Sequence, residues 1–78
     1  MAVTVYSTPT CSFCVAAKHY LRQHAIPFRD VDVSRDARAA AEMVRKTGQR
    51  GVPVIDVNGT AIVGFDKARL NAALGISR

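Results

Sequence analysis

The sequence predicts an α/β fold in which a mixed four-stranded sheet is flanked by helices, with the elements in the order β-α-β-α-β-β-α. In the first half of the chain, two runs of β-branched residues alternate with two segments whose apolar residues recur at helical spacing. In the second half, two further β-branched runs are separated by Asn58-Gly59, the preferred dipeptide of a type I′ hairpin turn. Strands joined through a helix pair in parallel and a hairpin pairs antiparallel, so the sheet should be mixed.

The first three elements follow from residue type and periodicity. Residues 3–6 are mostly β-branched or aromatic and end at a Ser-Thr-Pro-Thr turn signal, which predicts a strand. A helix is predicted from Ser12 to His24, and it must end before Pro27. Residues 28–33 alternate between apolar and polar side chains, as a half-buried strand does.

The later elements have recognisable ends. Ser34 is the predicted N-cap of an alanine-rich helix, with Asp36 in its first turn and Gly48 as its C′ residue. The predicted boundaries are a helix over residues 37–47, strands over residues 52–57 and 60–63, and a closing helix over residues 66–74.

Length and composition limit the class of protein. With 49% hydrophobic and 22% charged residues, residues 1–78 are expected to form one globular domain near the lower size limit for a self-sufficient core. No segment approaches the roughly 20 apolar residues that span a bilayer, and no secretory signal is visible. We therefore expect a cytoplasmic protein without a membrane partner.

The net charge of +5 at pH 7 raises the question of a nucleic-acid partner. The 11 lysines and arginines are dispersed along the chain, which has only two tyrosines, three phenylalanines and no tryptophan. Because a nucleic-acid surface needs a basic stripe interleaved with aromatic residues, we expect no such partner. A solvated surface that steers acidic partners explains the charge better.

The two cysteines lie in the segment Cys11-Ser12-Phe13-Cys14, at the start of the first predicted helix. One helical turn separates them, which is within the Cα separation of about 4.4–6.8 Å that a disulfide tolerates. The ring they close is too small to stabilise a fold much, so a redox role is favoured. Helix N-terminal N–H groups favour a thiolate at Cys11, so Cys11 is the predicted nucleophile, and the more buried Cys14 resolves the mixed disulfide.

A second candidate element is Val52-Pro53. A proline that opens a strand removes a donor from the ladder, so it belongs at an edge or where the backbone is shaped for a ligand. X–Pro bonds adopt the cis form at modest cost. We predict a cis Val52–Pro53 bond beside the thiols, with Val52 presenting backbone groups to an extended substrate.

Taken together, these motifs resemble the glutaredoxin family, which has the thioredoxin fold. The resemblance covers essentially the whole chain, and the segments that carry it are Tyr6-Ser7-Thr8-Pro9-Thr10-Cys11-Ser12-Phe13-Cys14, Thr47-Gly48, Val52-Pro53 and Gly64-Phe65-Asp66. It implies a thiol–disulfide oxidoreductase that reduces protein disulfides or removes glutathione from mixed disulfides. We accordingly expect a monomer with glutathione as co-substrate, no tightly bound cofactor and no metal site.

The resemblance also implies roles for individual residues. The two cysteines match the family's nucleophile and its resolving cysteine. Val52 matches the residue whose backbone pairs with glutathione, and Pro53 matches the cis-proline. Phe65 and Asp66 match the positions that hold the γ-glutamyl end, where helix N-terminal N–H groups suit a carboxylate. Phe13 is expected to be partly exposed and to contact the partner.

The chain departs from the family pattern at three positions. Val63-Gly64 stands where the family usually has Gly-Gly before the aspartate. Thr8 stands where many glutaredoxins carry a lysine, which removes one expected contact to a glutathione carboxylate. Lys67 replaces a second aspartate. Gln49 or Arg50 is the predicted source of the missing carboxylate contact.

Two alternatives to a glutathione-dependent enzyme stay open. The first is a redoxin of the kind that feeds ribonucleotide reductase and takes electrons from thioredoxin reductase. This chain has the size of that group but lacks its longer aromatic C-terminal motif. The second is a non-enzymatic carrier of a [2Fe–2S] cluster, held between two chains with glutathione completing the ligands.

Two further patterns are expected to be surface features. Cys11, Cys14, His19 and His24 have a spacing that superficially resembles a zinc knuckle. On a helix, His19 lies about 140° from Cys14, so the four side chains cannot converge, and exposed histidines are expected instead. Lys18 is likewise expected on the solvated surface of the helix, and the alternative is that it assists the thiolate electrostatically.

Overall fold

The computed structural model describes residues 2–76, which fold into seven elements in the predicted order. They are β1 (Val3–Ser7), α1 (Ser12–Gln23), β2 (Arg29–Asp32), α2 (Ala37–Thr47), β3 (Val54–Val57), β4 (Thr60–Val63) and α3 (Lys67–Leu74). None of the helices in this described part of the chain is long and apolar enough to cross a membrane.

The four strands form one mixed sheet in the order β2-β1-β3-β4. β1 pairs with β2 in parallel, with Val5 opposite Asp30, and β1 pairs with β3 antiparallel, with Val5 opposite Ile55. β3 and β4 form the predicted hairpin, with Ile55 opposite Ile62. The prediction of a mixed four-stranded sheet is therefore confirmed.

Side chains alternate along the strands and separate two hydrophobic layers, one on each face of the sheet. The layer beneath α1 and α3 comprises Val3, Val5, Ala17, Tyr20, Leu21, Ile55, Val57, Ile62, Leu70 and Leu74. The smaller layer beneath α2 comprises Tyr6, Val31, Ala39, Met43 and Val54. Because complete burial of one large aliphatic side chain stabilises a fold by about 1.5–3 kcal/mol, these two layers hold the helices on opposite faces.

A charged pair joins α2 to the hairpin. Asp56 points to the α2 face of β3 and is only 6% exposed, and Lys46 Nζ donates to its Oδ2 at 2.9 Å. The other carboxylate oxygen accepts from the N–H of Gly59 at 2.8 Å and so supports the turn. The hydrogen bond to Asp56 raises the pKa of Lys46, which keeps the ammonium charged. Both oxygens of this buried carboxylate are thus satisfied.

The N-cap of α2 differs from the prediction. Asp36, and not Ser34, occupies that position, since its side chain accepts from the N–H of Ala39 at 3.0 Å. The N–H of Ser34 instead donates to Asp32 Oδ1 at 2.9 Å in a turn that precedes the helix. A short polar residue just before a helix can cap the helix or form part of a local turn, and Ser34 does the latter. Gly48 ends the helix in the left-handed conformation, as predicted.

The C-terminus of α1 is closed by two hydrogen bonds that require a left-handed residue. The N–H of Ile26 donates to the carbonyl of Leu21 at 2.9 Å, and the N–H of Ala25 donates to the carbonyl of Arg22 at 3.0 Å. This is the Schellman arrangement, in which the left-handed position is usually glycine. Here Ala25 occupies it with φ +54°. A Cβ in that conformation costs roughly 1–2 kcal/mol.

We expect Ala25→Gly to raise the free energy of unfolding by about 0.5 kcal/mol, because the relieved backbone strain exceeds the added entropy of the unfolded chain. The matched control is Ala41→Gly, at an exposed position in the middle of α2, which should lower the same quantity by about 1 kcal/mol. Urea denaturation of both variants measures the two changes. An Ala25→Gly variant as destabilised as the control would show that the helix end carries no strain.

Candidate active site

Cys11 and Cys14 lie at the N-terminus of α1, where Cys11 is the N-cap residue. Its backbone is extended, with φ −96° and ψ 112°, and its Sγ accepts a hydrogen bond from the N–H of Cys14 at 3.1 Å. A backbone donor at the positive end of a helix stabilises an anion, which for sulfur is the nucleophilic thiolate. The helix is therefore capped by the same atom that is the predicted nucleophile.

The two thiols occupy different environments. Cys11 is partly exposed, whereas Cys14 is completely buried. Burial, together with the hydrogen bond to Cys11, raises the pKa of the Cys14 thiol to about 11. The backbone of Thr8 and the charge of Lys18 act in the opposite direction and offset only part of this rise. At neutral pH, Cys14 is accordingly a protonated thiol beneath an accessible sulfur.

The loop that precedes β3 lies against these thiols. The Val52–Pro53 peptide bond is cis, as predicted, and Cys11 Sγ donates to the carbonyl of Val52 at 3.9 Å. Pro53 is buried. The strand begins at Val54 and not at Val52 as predicted, since Pro53 has no N–H to contribute to a ladder.

The side chain of Gln49 is hydrogen-bonded to the backbone of this loop. Its Oε1 accepts from the N–H of Gly51 at 2.6 Å, and its Nε2 donates to the carbonyl of the same residue at 3.2 Å. A Cβ on Gly51 would lie 2.7 Å from that oxygen, so a larger residue there would displace the flexible end of the Gln49 side chain. The side-chain amide of Gln49 thus serves its own loop, and a contact from it to glutathione stays a prediction.

Arg50 lies on the other side of the loop. It is exposed and borders a groove of about 560 Å³ beside α2, together with Met43 and Val44. The structure therefore places Arg50 with α2, whereas Val52 lies with the thiols. Its role toward a glutathione carboxylate stays a prediction.

Residues 64–66 connect the cis-proline loop to α1. The N–H of Gly64 donates to the carbonyl of Pro53 at 2.8 Å. Phe65 is half-buried and packs edge-to-face on the ring of Tyr20, with 5.6 Å between the ring centroids. Asp66 is the N-cap of α3 and accepts a backbone N–H of that helix at 3.1 Å. Gly64 thus joins the segment that carries Phe65 and Asp66 to the loop that contacts Cys11.

The rim of the site combines apolar and basic groups. Phe13, between the two cysteines, is 66% exposed. Lys67 Nζ lies 5.3 Å from the ring centroid of Tyr20 and 5.8 Å from that of Phe65. An ammonium at this distance from an aromatic face is held there by the electrostatic attraction of the ring. The site therefore presents a positive charge beside its aromatic residues.

The prediction for Lys18 is wrong. Its side chain is only 17% exposed, and its Nζ donates to Asp30 Oδ2 at 3.0 Å. The other oxygen of Asp30 accepts from the hydroxyl of the buried Ser7 at 2.9 Å. The signal in the sequence was the spacing, because Lys18 follows Cys14 by four residues and so shares its helix face.

The two histidines of the zinc-knuckle-like spacing do not lie with the thiols. His19 and His24 are both exposed, and His24 packs against the ring of Tyr20 with centroids 4.5 Å apart. Within residues 2–76, no three His, Cys, Asp or Glu side chains are grouped so that they could hold a metal ion.

Comparison with known proteins places this arrangement in a family. Residues 3–62 match the family model described as Glutaredoxin. An uncharacterized glutaredoxin-like 8.6 kDa protein in the rubredoxin operon of Clostridium pasteurianum is 45% identical over 69 residues, which are 88% of this chain and 92% of that protein.

Solved structures show the same fold. The T8A mutant of the thioredoxin-like protein BC3987 has a TM-score of 0.90 and 27% identity, with 96% of each chain covered. The glutaredoxin-like protein NrdH-redoxin from Escherichia coli has a TM-score of 0.81 and 29% identity, with 92% of this chain and 93% of that chain covered. Since the family model spans well over half of the sequence and the sheet and helices have these counterparts, this chain belongs to the glutaredoxin family and is a glutaredoxin-like redox protein of the thioredoxin fold.

Proposed function

We propose that this protein is a thiol–disulfide oxidoreductase that reduces protein disulfides, or mixed disulfides of glutathione, through the dithiol of Cys11 and Cys14. The observation that supports this most is the contrast between the two sulfurs. Cys11 Sγ is partly exposed and accepts an N–H at 3.1 Å, whereas Cys14 is buried, with a pKa raised to about 11 by burial. One sulfur is suited to attack a partner, and the other is kept protonated until it is needed.

The reaction runs in two exchanges. The thiolate of Cys11 attacks one sulfur of the substrate disulfide, a Cys11–substrate disulfide forms, and the other substrate sulfur leaves as a thiolate. Cys14 then loses its proton and attacks Cys11 Sγ, which forms the Cys11–Cys14 disulfide and releases the second substrate sulfur. The substrate gains the two electrons that the dithiol loses, and an external reductant restores them. The Val52 backbone and the rings of Phe13 and Phe65 border the position of the substrate.

The raised pKa of Cys14 predicts a large difference in alkylation. In the reduced protein near neutral pH, iodoacetamide should modify Cys11 and leave Cys14 almost untouched, because only the thiolate reacts and Cys14 is both protonated and buried. Modification of Cys14 should increase only as the pH approaches about 11. Peptide mass spectrometry measures both sites, and the urea-unfolded chain, in which the two thiols should react alike, is the control. Equal reaction of both thiols in the folded protein would contradict the assignment.

Replacing the resolving sulfur should separate the two exchanges. We expect Cys14→Ser to accumulate a Cys11–substrate disulfide and to reduce a protein disulfide at least about 100-fold more slowly, because an intramolecular attack is replaced by a bimolecular one. Cys11→Ser, the control, should form no mixed disulfide at all. Non-reducing electrophoresis and single-turnover kinetics measure both effects. Undiminished protein-disulfide reduction by Cys14→Ser would contradict the dithiol mechanism.

The second candidate function is that of an electron donor served by thioredoxin reductase. Lys67 places an ammonium 5.8 Å from the Phe65 ring, at a position where the family resemblance implies an aspartate facing the γ-glutamyl end of glutathione. That group carries its own ammonium, which Lys67 would repel. Thr8 also lacks the charge of the usual lysine. NrdH-redoxin from Escherichia coli, which this chain resembles, has a thioredoxin-like activity profile.

Reduction of the oxidised protein under NADPH distinguishes the two reductants. One reaction contains glutathione with glutathione reductase, and the other contains thioredoxin reductase. If Lys67 disfavours glutathione, Lys67→Asp should increase the rate of the first reaction by about threefold to tenfold, as expected for reversing one partly solvated charge. Arg69→Asp, the same charge change two residues later in α3 and on a different side of that helix, is the control. Rapid reduction of the unmodified protein by glutathione alone would reject the second candidate function.

A further inference from the structure

A chain of hydrogen bonds connects β1, β2 and α1 on the side of the sheet that carries the thiols. The hydroxyl of Ser7, the last residue of β1, donates to Asp30 Oδ1 at 2.9 Å, and Lys18 Nζ donates to Asp30 Oδ2 at 3.0 Å. Ser7 is buried, and the side chain of Lys18 is only 17% exposed. The stem of Lys18 is thus mostly covered, while its ammonium is held by the carboxylate of Asp30, whose side chain is 44% exposed.

The position of Lys18 relative to Cys14 follows from helix geometry. Residues four apart on a helix lie on the same face, with about 5–6 Å between their Cβ atoms. Cys14 and Lys18 are such a pair on α1, and both point toward the sheet, since Cys14 is buried and Lys18 reaches Asp30 in β2. The fixed ammonium is therefore close to the buried sulfur.

The charged and titratable groups around this pair come from two elements. Cys11 at the start of α1 raises the pKa of Cys14, whereas Lys18 lowers it. From β2, Asp30 neutralises part of the lysine charge. The pKa of Asp32 is lowered mainly by its hydrogen bond with Ser34, then by the charge of Arg35 and least by that of Lys18. Among these groups, Lys18 is the cation whose charge lowers the pKa of Cys14 and so offsets part of the effect of burial.

We propose that Lys18 is a positioning residue for the resolving step: its ammonium, held by Asp30 and through it by Ser7, stabilises the thiolate that Cys14 forms as it attacks the mixed disulfide. This inference rests on the proposed function. The pair Lys46–Asp56 on the opposite face of the sheet has a similar geometry but faces the hairpin and no thiol.

The step requires no new reactant. Cys14 Sγ–H gives its proton to water, and the resulting thiolate attacks Cys11 Sγ. The Cys11–Cys14 bond forms, the bond between Cys11 and the substrate sulfur breaks, and that sulfur leaves with the electron pair as a thiolate. Lys18 keeps all of its protons throughout. Its contribution is the electrostatic stabilisation of a negative charge that the buried site otherwise disfavours.

A single-turnover experiment isolates this step. Reduced protein is mixed with one equivalent of the disulfide 5,5′-dithiobis(2-nitrobenzoate) in a stopped-flow instrument, and release of thionitrobenzoate is followed by absorbance. The attack by Cys11 releases the first equivalent at a rate that depends on concentration. The attack by Cys14 releases the second equivalent at a rate that is independent of concentration, because it is intramolecular. The pH dependence of the second rate reports the ionisation of Cys14.

We expect Lys18→Met to slow the second release about fivefold at neutral pH and to move its pH profile to higher pH, because one neighbouring charge that is partly neutralised is lost. The first release should change by less than about twofold. Lys18→Arg, which keeps the charge, should retain the wild-type profile. Arg22→Met, the same charge change one turn farther along α1, is the matched control and should leave both rates unchanged.

Each outcome separates the two proposals. If the unmodified protein releases only one equivalent, Cys14 does not resolve the disulfide and the proposed function fails. If it releases two, and Lys18→Met has the wild-type rate and pH profile, the role of Lys18 is rejected while the function stands. An equal loss in Arg22→Met would show a general charge effect and would also reject it. Thermal unfolding identifies a misfolded variant, in which case Lys18→Gln, which keeps a polar end, replaces Lys18→Met with the same expectations.

Discussion

The hydrogen bond from the N–H of Cys14 to Cys11 Sγ is the interaction on which the site depends. At 3.1 Å, it makes Cys11 the N-cap of α1 and its sulfur the acceptor of one of the free N–H groups at the start of that helix. A cap is normally a Ser, Thr, Asp or Asn oxygen, so a sulfur in this position couples the start of the helix to redox chemistry. The same helix start buries Cys14 one turn farther on, which separates the roles of two chemically identical side chains.

The loop that carries Val52 and Pro53 lies against Cys11, and contacts between segments distant in sequence hold it there. Cys11 Sγ reaches the carbonyl of Val52, and the carbonyl of Pro53 in turn accepts from Gly64. The chain therefore contacts itself across the site through backbone groups. Backbone groups of this kind depend little on side-chain identity, so they place no constraint on the exposed side chain of Lys67.

Two lysine–aspartate pairs show how the same interaction serves different purposes on the two faces of the sheet. Lys46 and Asp56 lie beneath α2, and the carboxylate also supports the hairpin turn, so that pair is architectural. Lys18 and Asp30 lie on the side of α1, within the electrostatic range of Cys14. One partner of each pair is partly exposed, since the Asp30 and Lys46 side chains are 44% and 35% exposed, so each pair by itself contributes little net stability. The role of a pair therefore depends on which other groups its charges reach.

The sequence alone determined what local physics controls. Helical spacing, β-branched runs and the Asn58-Gly59 turn depend on residues within a few positions of one another, and the elements that they predicted are present in the predicted order. The choice of Asp36 over Ser34 as cap is also local, since Ser34 is bonded to Asp32, and there the prediction was wrong. The tertiary structure decided the strand order and the burial of Lys18. Those outcomes depend on which segments meet: Lys18 is enclosed only because β2, carrying Asp30, lies beside β1 and beneath α1. An alternation of polar and apolar residues shows which side chains are turned inward, but it does not identify the polar partner that an inward-facing charge will meet there.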